Sequence, residues 1–417
     1  MPTAYFAEGI PFAMVIWVTG TMFKDLGHSD ARITIATATI GIAWSLKPLW
    51  AAFLDMALTK KFFVLAMEVV IAALFVAMAL ALSSQSYFTA IVALLWLVAF
   101  ASATQDICVD GVYVTALDAR RQAAWIGVQG TFWNAGRIFA TAAVVFAAGA
   151  LERSGLPANA AWARALLVSA LAMIALALYH AFVLPTGSIG RRPGSAAAVF
   201  GEFAESVRAF FRKDSIWGML AFVFLFRSGE GFLLVEAPLF MQAKLADGGL
   251  GLSLEAKSLI DGTVSTTVSI VAGVLGGLFI EKFGLKRTLV FMAICLNVPH
   301  LCYVLLSQMT SPDHPLSFTT VALLVSIEKF GYSFGFVANM LYMMQQIAPG
   351  AFKMTHYAFA TALMNLVLIP TQSASGPLAH ALGYRAFFLV VMFASIPSIV
   401  AAWLAPFPRL SEDPHEA

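Results

Sequence analysis

Charge is what this sequence has least of. Of its 417 residues only 12% are Asp, Glu, Lys or Arg, about half the share usual in a soluble domain. Hydrophobic residues make up 60%, and the mean hydropathy is +0.84. A chain so poor in charge cannot cover a water-facing surface and reads as a polytopic membrane protein. The net charge of +2, with no basic stripe, sets nucleic acid aside as a partner. Cysteine is also scarce. Cys108, Cys295 and Cys302 sit in apolar stretches without metal-ligand spacing or a disulfide framework, and read as small buried residues. His180, His300, His356 and His380 are dispersed near the ends of apolar stretches and form no metal set. No nucleophile–base–orienter set, metal motif or phosphate loop stands out, so neither an embedded enzyme nor a cofactor is expected. Met1-Pro2-Thr3 runs straight into the first apolar stretch without a cleavage site, so the first span is expected to be retained.

Long apolar runs are what the chain does have. Each crossing needs about 20 apolar residues. Twelve stretches qualify: 4–23, 31–52, 62–82, 88–116, 123–150, 160–184, 216–242, 257–280, 288–308, 317–346, 354–381 and 384–406. The longest polar interval, Pro185 to Ser215, carries Gly187, Gly190, Arg191, Arg192, Pro193 and Gly194. It divides an all-α integral membrane protein of twelve transmembrane helices into two six-helix bundles, 1–184 and 216–417, joined by the 185–215 linker. Within the linker Phe200, Phe203, Val207, Phe210 and Phe211 recur at helical steps, with Glu202, Glu205, Arg208 and Arg212 between them. That pattern predicts an amphipathic helix on the membrane surface, docked under the protein or regulating it.

Orientation follows from the loops. Fourteen Lys and Arg lie after even-numbered spans and in the C-terminal tail, against seven on the other side. This predicts cytoplasmic termini and a cytoplasmic linker in a cell (inner) membrane. Length and internal pairing of the halves suggest a monomer, with the lipid bilayer, a small polar solute and protons as its partners.

Ser102-Ala-Thr-Gln105-Asp106-Ile-Cys108-Val-Asp110-Gly111 places two carboxylates four apart, on one helical face, inside an otherwise greasy stretch. Ionisable groups at membrane depth are disfavoured unless they line a cavity or find partners. A second pattern repeats in two loops. Gly277-x-x-x-Glu281-Lys282-x-Gly284-x-Lys286-Arg287 joins the eighth and ninth spans, and Asp55 with Lys60 and Lys61 repeats the same offsets after the second.

The loop pattern resembles the signature of the major facilitator superfamily, good in the second half and lacking its glycines in the first. The ten-residue stretch resembles the fourth-helix motif of the AmpG muropeptide permeases and of the related acetyl-CoA transporters. Glu8-Gly-Ile-Pro11 and Lys47-Pro48-Leu-Trp50 resemble that family's first and second helices. The likeness is clearest over residues 5–137. It implies the major facilitator fold, in which two pseudo-twofold-related bundles hold substrate near the midplane. It also implies proton-driven uptake of a bulky polar solute: a muropeptide or its N-acetylglucosamine–anhydro-N-acetylmuramic acid core, with acetyl-CoA-like or siderophore solutes, or a membrane solute sensor, as alternatives.

The charged residues within spans are the candidates for mechanism. Asp106 and Asp110 either carry the coupled proton or stand in permanent ion pairs with Lys47 or Arg137. Glu8 and Glu230 are further proton candidates, although Arg227, three residues before Glu230, suits simple pairing with it. Arg137 either binds a carboxylate or phosphate of the solute through its planar fork or serves Asp106 or Asp110. Gln105, Trp133, Asn134 and Tyr332 are the remaining candidates for solute contact. Asp55, Lys60, Lys61, Gly277, Glu281, Gly284, Lys286 and Arg287 are candidates for gating.

Overall fold

The computed structural model describes the backbone of residues 2–47, 49–50, 54, 59–116, 119–186, 196–350 and 352–408. Side chains of 114–116, 119–128, 196–200, 202, 353 and 354 lie outside that description. Every regular element among the described residues is a helix. In lipid the helix satisfies its own backbone within one segment, which is why the apolar runs adopt it.

The helices in chain order are α1 (Pro2–Asp25), the short α2 (Asp30–Thr37), α3 (Lys60–Ala81), α4 (Tyr87–Tyr113), α5 (Gln129–Arg153), α6 (Ala158–Val183), α7 (Ala196–Phe211), α8 (Ile216–Gln242), α9 (Leu254–Phe283), α10 (Leu285–Met309), α11 (Phe318–Ile347) and α12 (Thr355–Leu404). Ten of these are long and apolar enough to cross a membrane; α2 and α7 are not. The expected second span appears in pieces, α2 and a single turn at Ile42–Ser45, followed by positions outside the described residues. The last two expected spans run together as α12, bent where Gly383 takes a left-handed φ of 73° that a side chain would resist.

Irregular turns interrupt several spans. α8 breaks at 226–229, between Ile216–Leu225 and Glu230–Gln242, where Ser228 and the glycines Gly229 and Gly231 weaken the helix. The wide π turn Phe139–Val144 in α5 packs against two others, Met14–Val18 in α1 and Ser258–Val264 in α9. Gly262 permits that approach, since a Cβ there would lie 2.9 Å from Ala142 Cβ.

The chain forms two compact units. The first comprises Met1–Pro193 with Met241–Lys244 and Gly251–Thr266; the second comprises Gly194–Phe240, Leu245–Leu250 and Thr267–Ala417. In the first, Tyr5, Val64, Cys108, Val109, Val112 and Leu184 form a core around α4. In the second, Phe222, Phe226, Leu289, Met292 and Tyr342 form another. The helix α7 docks on that second unit: Phe210 is fully buried, Phe203 and Phe210 meet Phe359, and Ser206 O accepts from His356 Nε2 at 3.0 Å. Lys213, just beyond it, donates to Pro349 O at 2.7 Å.

Candidate site for solute and protons

In the first unit α4 sets Asp106 and Asp110 one turn apart, and each meets a different partner. The Lys47 ammonium donates to Asp106 Oδ2. The Tyr5 hydroxyl donates to Asp110 Oδ1 at 2.9 Å. Glu8, one turn along α1 from Tyr5 and buried, stands beside Asp106. An ionised carboxylate only accepts, so a hydrogen bond between two carboxyl groups needs a proton on one of them. Asp106 is half-buried and Asp110 exposed, so the cluster runs from the helix interior to an open face. Lys47 itself lies where the second span is broken.

Beside the carboxyls stands a box of aromatic rings. Phe12 lies 5.6, 4.8 and 5.3 Å from Trp17, Trp44 and Trp133, all at steep angles. The Arg137 guanidinium lies 5.3 Å over the Trp17 ring, within cation–π range. All four rings remain partly exposed. Glycine places them: a Cβ on Gly9 would collide with Trp133 O, and one on Gly136 with Phe6 O, so α1 and α5 cross at backbone contact. Asn134 turns its amide back to Gly130 O at 2.9 Å.

Gln105 points elsewhere. It is fully buried, and its amide donates to Glu68 Oε1 at 3.3 Å. The same oxygen meets His180 Nδ1 at 2.7 Å.

In the second unit Arg227, in the break of α8, grips Glu230 through two hydrogen bonds, the Nε–Oε2 one at 2.6 Å. Tyr332 lies beside Glu230, the Arg227 guanidinium lies 4.8 Å over Phe336, and Tyr332 and Phe336 stack 5.7 Å apart. Tyr332 thus shares one cluster with Glu230. Glu328 and its neighbour Lys329 meet at 3.2 Å.

Of the loop residues, Asp55 lies outside the described residues. Lys60 is buried along α4: a Cβ on Gly111 would lie 3.1 Å from Lys60 Cε, which gives that glycine a packing reason. Lys61 donates its backbone N–H to Thr186 O at 3.1 Å. Gly277 is helical, whereas Gly284, with φ 81°, makes the turn between α9 and α10. Glu281, Lys286 and Arg287 are exposed around it.

Sequence reasoning missed Phe12, Trp17 and Trp44. One usable signal was present: Tyr5, Glu8 and Phe12 recur at three and four residues, the spacing of a single helical face. It missed the Glu68–His180 contact too, which no spacing encodes because the residues come from different helices.

No family model matches the chain. Among curated proteins it is similar to the putative transporter AmpG 4 of Rickettsia felis, 20% identical over 404 residues that cover 94% of this chain and 92% of that one. It is also similar to the anhydromuropeptide permease of Escherichia coli, 22% identical over 404 residues, 95% of this chain and 77% of the permease. Among solved structures it superposes on a bacterial homologue of the human lysosomal transporter Spinster with a TM-score of 0.71, at 14% identity, covering 97% of this chain and 96% of that. For a D-xylose–proton symporter the TM-score is 0.70, at 13% identity, covering 97% of each chain. At such identities the structural likeness shows the fold, which is the major facilitator fold. The sequence likeness to AmpG proteins extends well beyond residues 5–137 to nearly the whole chain.

Proposed function

We infer that this chain, AmpG-like in sequence and with the major facilitator fold, is a secondary active transporter that moves a bulky polar solute together with protons. The solute class it suits best is a muropeptide or the N-acetylglucosamine–anhydro-N-acetylmuramic acid core of one, taken inward across the cytoplasmic membrane. The observation that carries the reading is the joining, in one unit, of a carboxyl cluster to a partly exposed aromatic box with a guanidinium over one ring.

Three carboxyls, Glu8, Asp106 and Asp110, face one ammonium, Lys47. Fully ionised, the group carries two uncompensated negative charges, strongly disfavoured at membrane depth. One proton shared between the neighbouring Glu8 and Asp106 carboxyls halves that excess. When Asp106 is ionised it holds Lys47; when it is protonated Lys47 is released to other partners. Protonation therefore changes which helices are held together, the element a symporter needs for alternating access.

The box suits a disaccharide because sugar rings present flat C–H faces to aromatic rings, while Arg137 provides a fork for a lactyl or peptide carboxylate. The permease of Escherichia coli that the chain resembles is named for an anhydromuropeptide, and the proposed solute follows that name.

Purified protein in proteoliposomes, given radiolabelled disaccharide core and an inwardly directed proton gradient, is expected to accumulate it above the external concentration and to lose it on adding a protonophore. Accumulation of acetyl-CoA or an iron chelate in place of the disaccharide would overturn the solute. Equilibration without accumulation would overturn the coupling.

A further inference from the structure

We propose that Glu68 and His180 form an exchangeable proton-binding site, distinct from the Glu8–Asp106 pair. Four helices of the first unit build it. Glu68 comes from α3 and His180 from α6; both are essentially inaccessible, at 0% and 1% side-chain exposure. Imidazole Nδ1 lies 2.7 Å from Glu68 Oε1, and Nε2 lies 3.0 Å from the hydroxyl of Thr3 on α1. Gln105 on α4 donates to the same carboxyl oxygen at 3.3 Å. Glu68 Oε2 has no hydrogen-bond partner among the described residues.

The pair has two protonation levels. With an ionised Glu68 and a neutral imidazole it carries one buried negative charge, which the surroundings disfavour. With one proton more it is neutral overall, whether that proton rests on the carboxyl oxygen or the ring. In the first level Nδ1–H donates to the carboxylate, and Nε2 is a bare acceptor that needs a donor. In the second, with the proton on the ring or on Oε1, Nε2 carries hydrogen and needs an acceptor. A hydroxyl is both. Rotating Thr3 Oγ1–H therefore satisfies Nε2 at both levels, while the Gln105 amide serves the carboxyl in each. A proton can come and go without stranding a hydrogen-bonding group of the ring.

The other titratable groups on these helices are engaged elsewhere. On α1, Tyr5 bonds Asp110 and Glu8 stands beside Asp106. On α3, Lys60 lies along α4 at Gly111, and Lys61 stands at the helix start. On α4, Asp106 holds Lys47. On α6, Tyr179 alone lies against the site, its exposed ring 5.7 Å from the imidazole and without a hydrogen bond to it among the described residues. Gln105 immediately precedes Asp106, so one turn of α4 carries a ligand of this site and a member of the other. Its part in the transport cycle rests on the proton-coupled reading; its existence as a proton site does not.

The test is acid-minus-alkaline infrared difference spectroscopy on the purified protein in lipid, without solute or gradient. Wild type is expected to gain a carboxylic-acid band on acidification that Glu68→Gln removes, and an imidazole change that His180→Gln removes. Thr3→Val keeps both titrating groups but strands Nε2–H more severely than the bare nitrogen, because bonds to the charged or proton-rich ring are the stronger ones. It should weaken proton binding roughly five-fold, lowering the midpoint. If neither Gln variant accumulates, nitrogen-15 histidine spectra of wild type and Thr3→Val decide: one histidine titration that moves supports the site, and none that moves overturns it. A difference spectrum that Glu68→Gln leaves unchanged also overturns it. Proton-driven uptake with a silent Glu68–His180 pair would sink this inference alone; a titrating pair without uptake would spare it and sink the transport reading.

Discussion

Asp106 is held by Lys47 with Glu8 beside it, whereas Asp110 accepts from the hydroxyl of Tyr5 and lies on an open face. The two positions should therefore fail differently. Asp110→Asn is expected to fold with near wild-type thermal stability and to lose most proton-driven uptake. Asp106→Asn leaves the Lys47 ammonium without its carboxylate and should also destabilise the protein by about 1–3 kcal/mol. Adding Lys47→Gln should restore the melting temperature but not the uptake. A melting temperature unchanged in Asp106→Asn would show that the ion pair does not support the fold. Arg137→Lys keeps the charge and loses the planar fork, so binding of the anionic disaccharide should weaken several-fold more than that of its amide, as read by calorimetry. Equal losses would assign the arginine to the protein alone. At this scale the sequence marked Asp106, Asp110 and Glu8 because ionisable groups are rare in apolar runs. It did not show that Gln105 turns into the bundle, since which part of a helical face is buried depends on the neighbouring helices.

Among the elements, the crossing of α1 and α5 rests on two glycines, and a methyl on either meets backbone and not a yielding side chain. Gly136→Ala is expected to destabilise by about 1–3 kcal/mol, lowering the melting temperature, and to loosen the box by displacing Trp133. Intrinsic tryptophan fluorescence on adding solute should then change less than in wild type; an unaltered signal with a lowered melting temperature would separate packing from binding. A comparable constraint holds the start of α9, where Lys257 donates to Thr21 Oγ1 at 2.5 Å and lies 3.9 Å from Asp261, within the first unit. Lys257→Met should increase labelling of a Val18→Cys reporter, one turn before Thr21 on α1, by a membrane-impermeant reagent, and equal labelling would show that this bond does not pin the turn. Apolar length was enough to locate most spans. The break in α8 was not apparent, although Arg227-Ser228-Gly229-Glu230-Gly231 carries two glycines, because hydropathy averages over it. The interrupted second span was partly legible: Gly41 and the Lys47-Pro48 step lie within it, and a proline disfavours helix at the residue before it, but hydropathy averages over both.

The whole molecule joins two compact units of the major facilitator fold, one carrying the carboxyl cluster and the aromatic box, the other the Arg227–Glu230–Tyr332 cluster. Composition and hydropathy made the class legible, and three short motifs pointed to the AmpG-like branch. The solute was not legible, because aromatic rings recognise many sugars and aromatic ligands alike, and their grouping depends on helix crossings. The account's central claim is that solute and proton move together through this chain. Proteoliposomes with a pH dye inside, and no initial gradient, are given the disaccharide core alone. The prediction is internal acidification that follows solute entry, absent in Asp106→Asn and unaffected by an external sugar that does not bind. Solute entry with no change of internal pH, at a membrane potential clamped to zero, would contradict it.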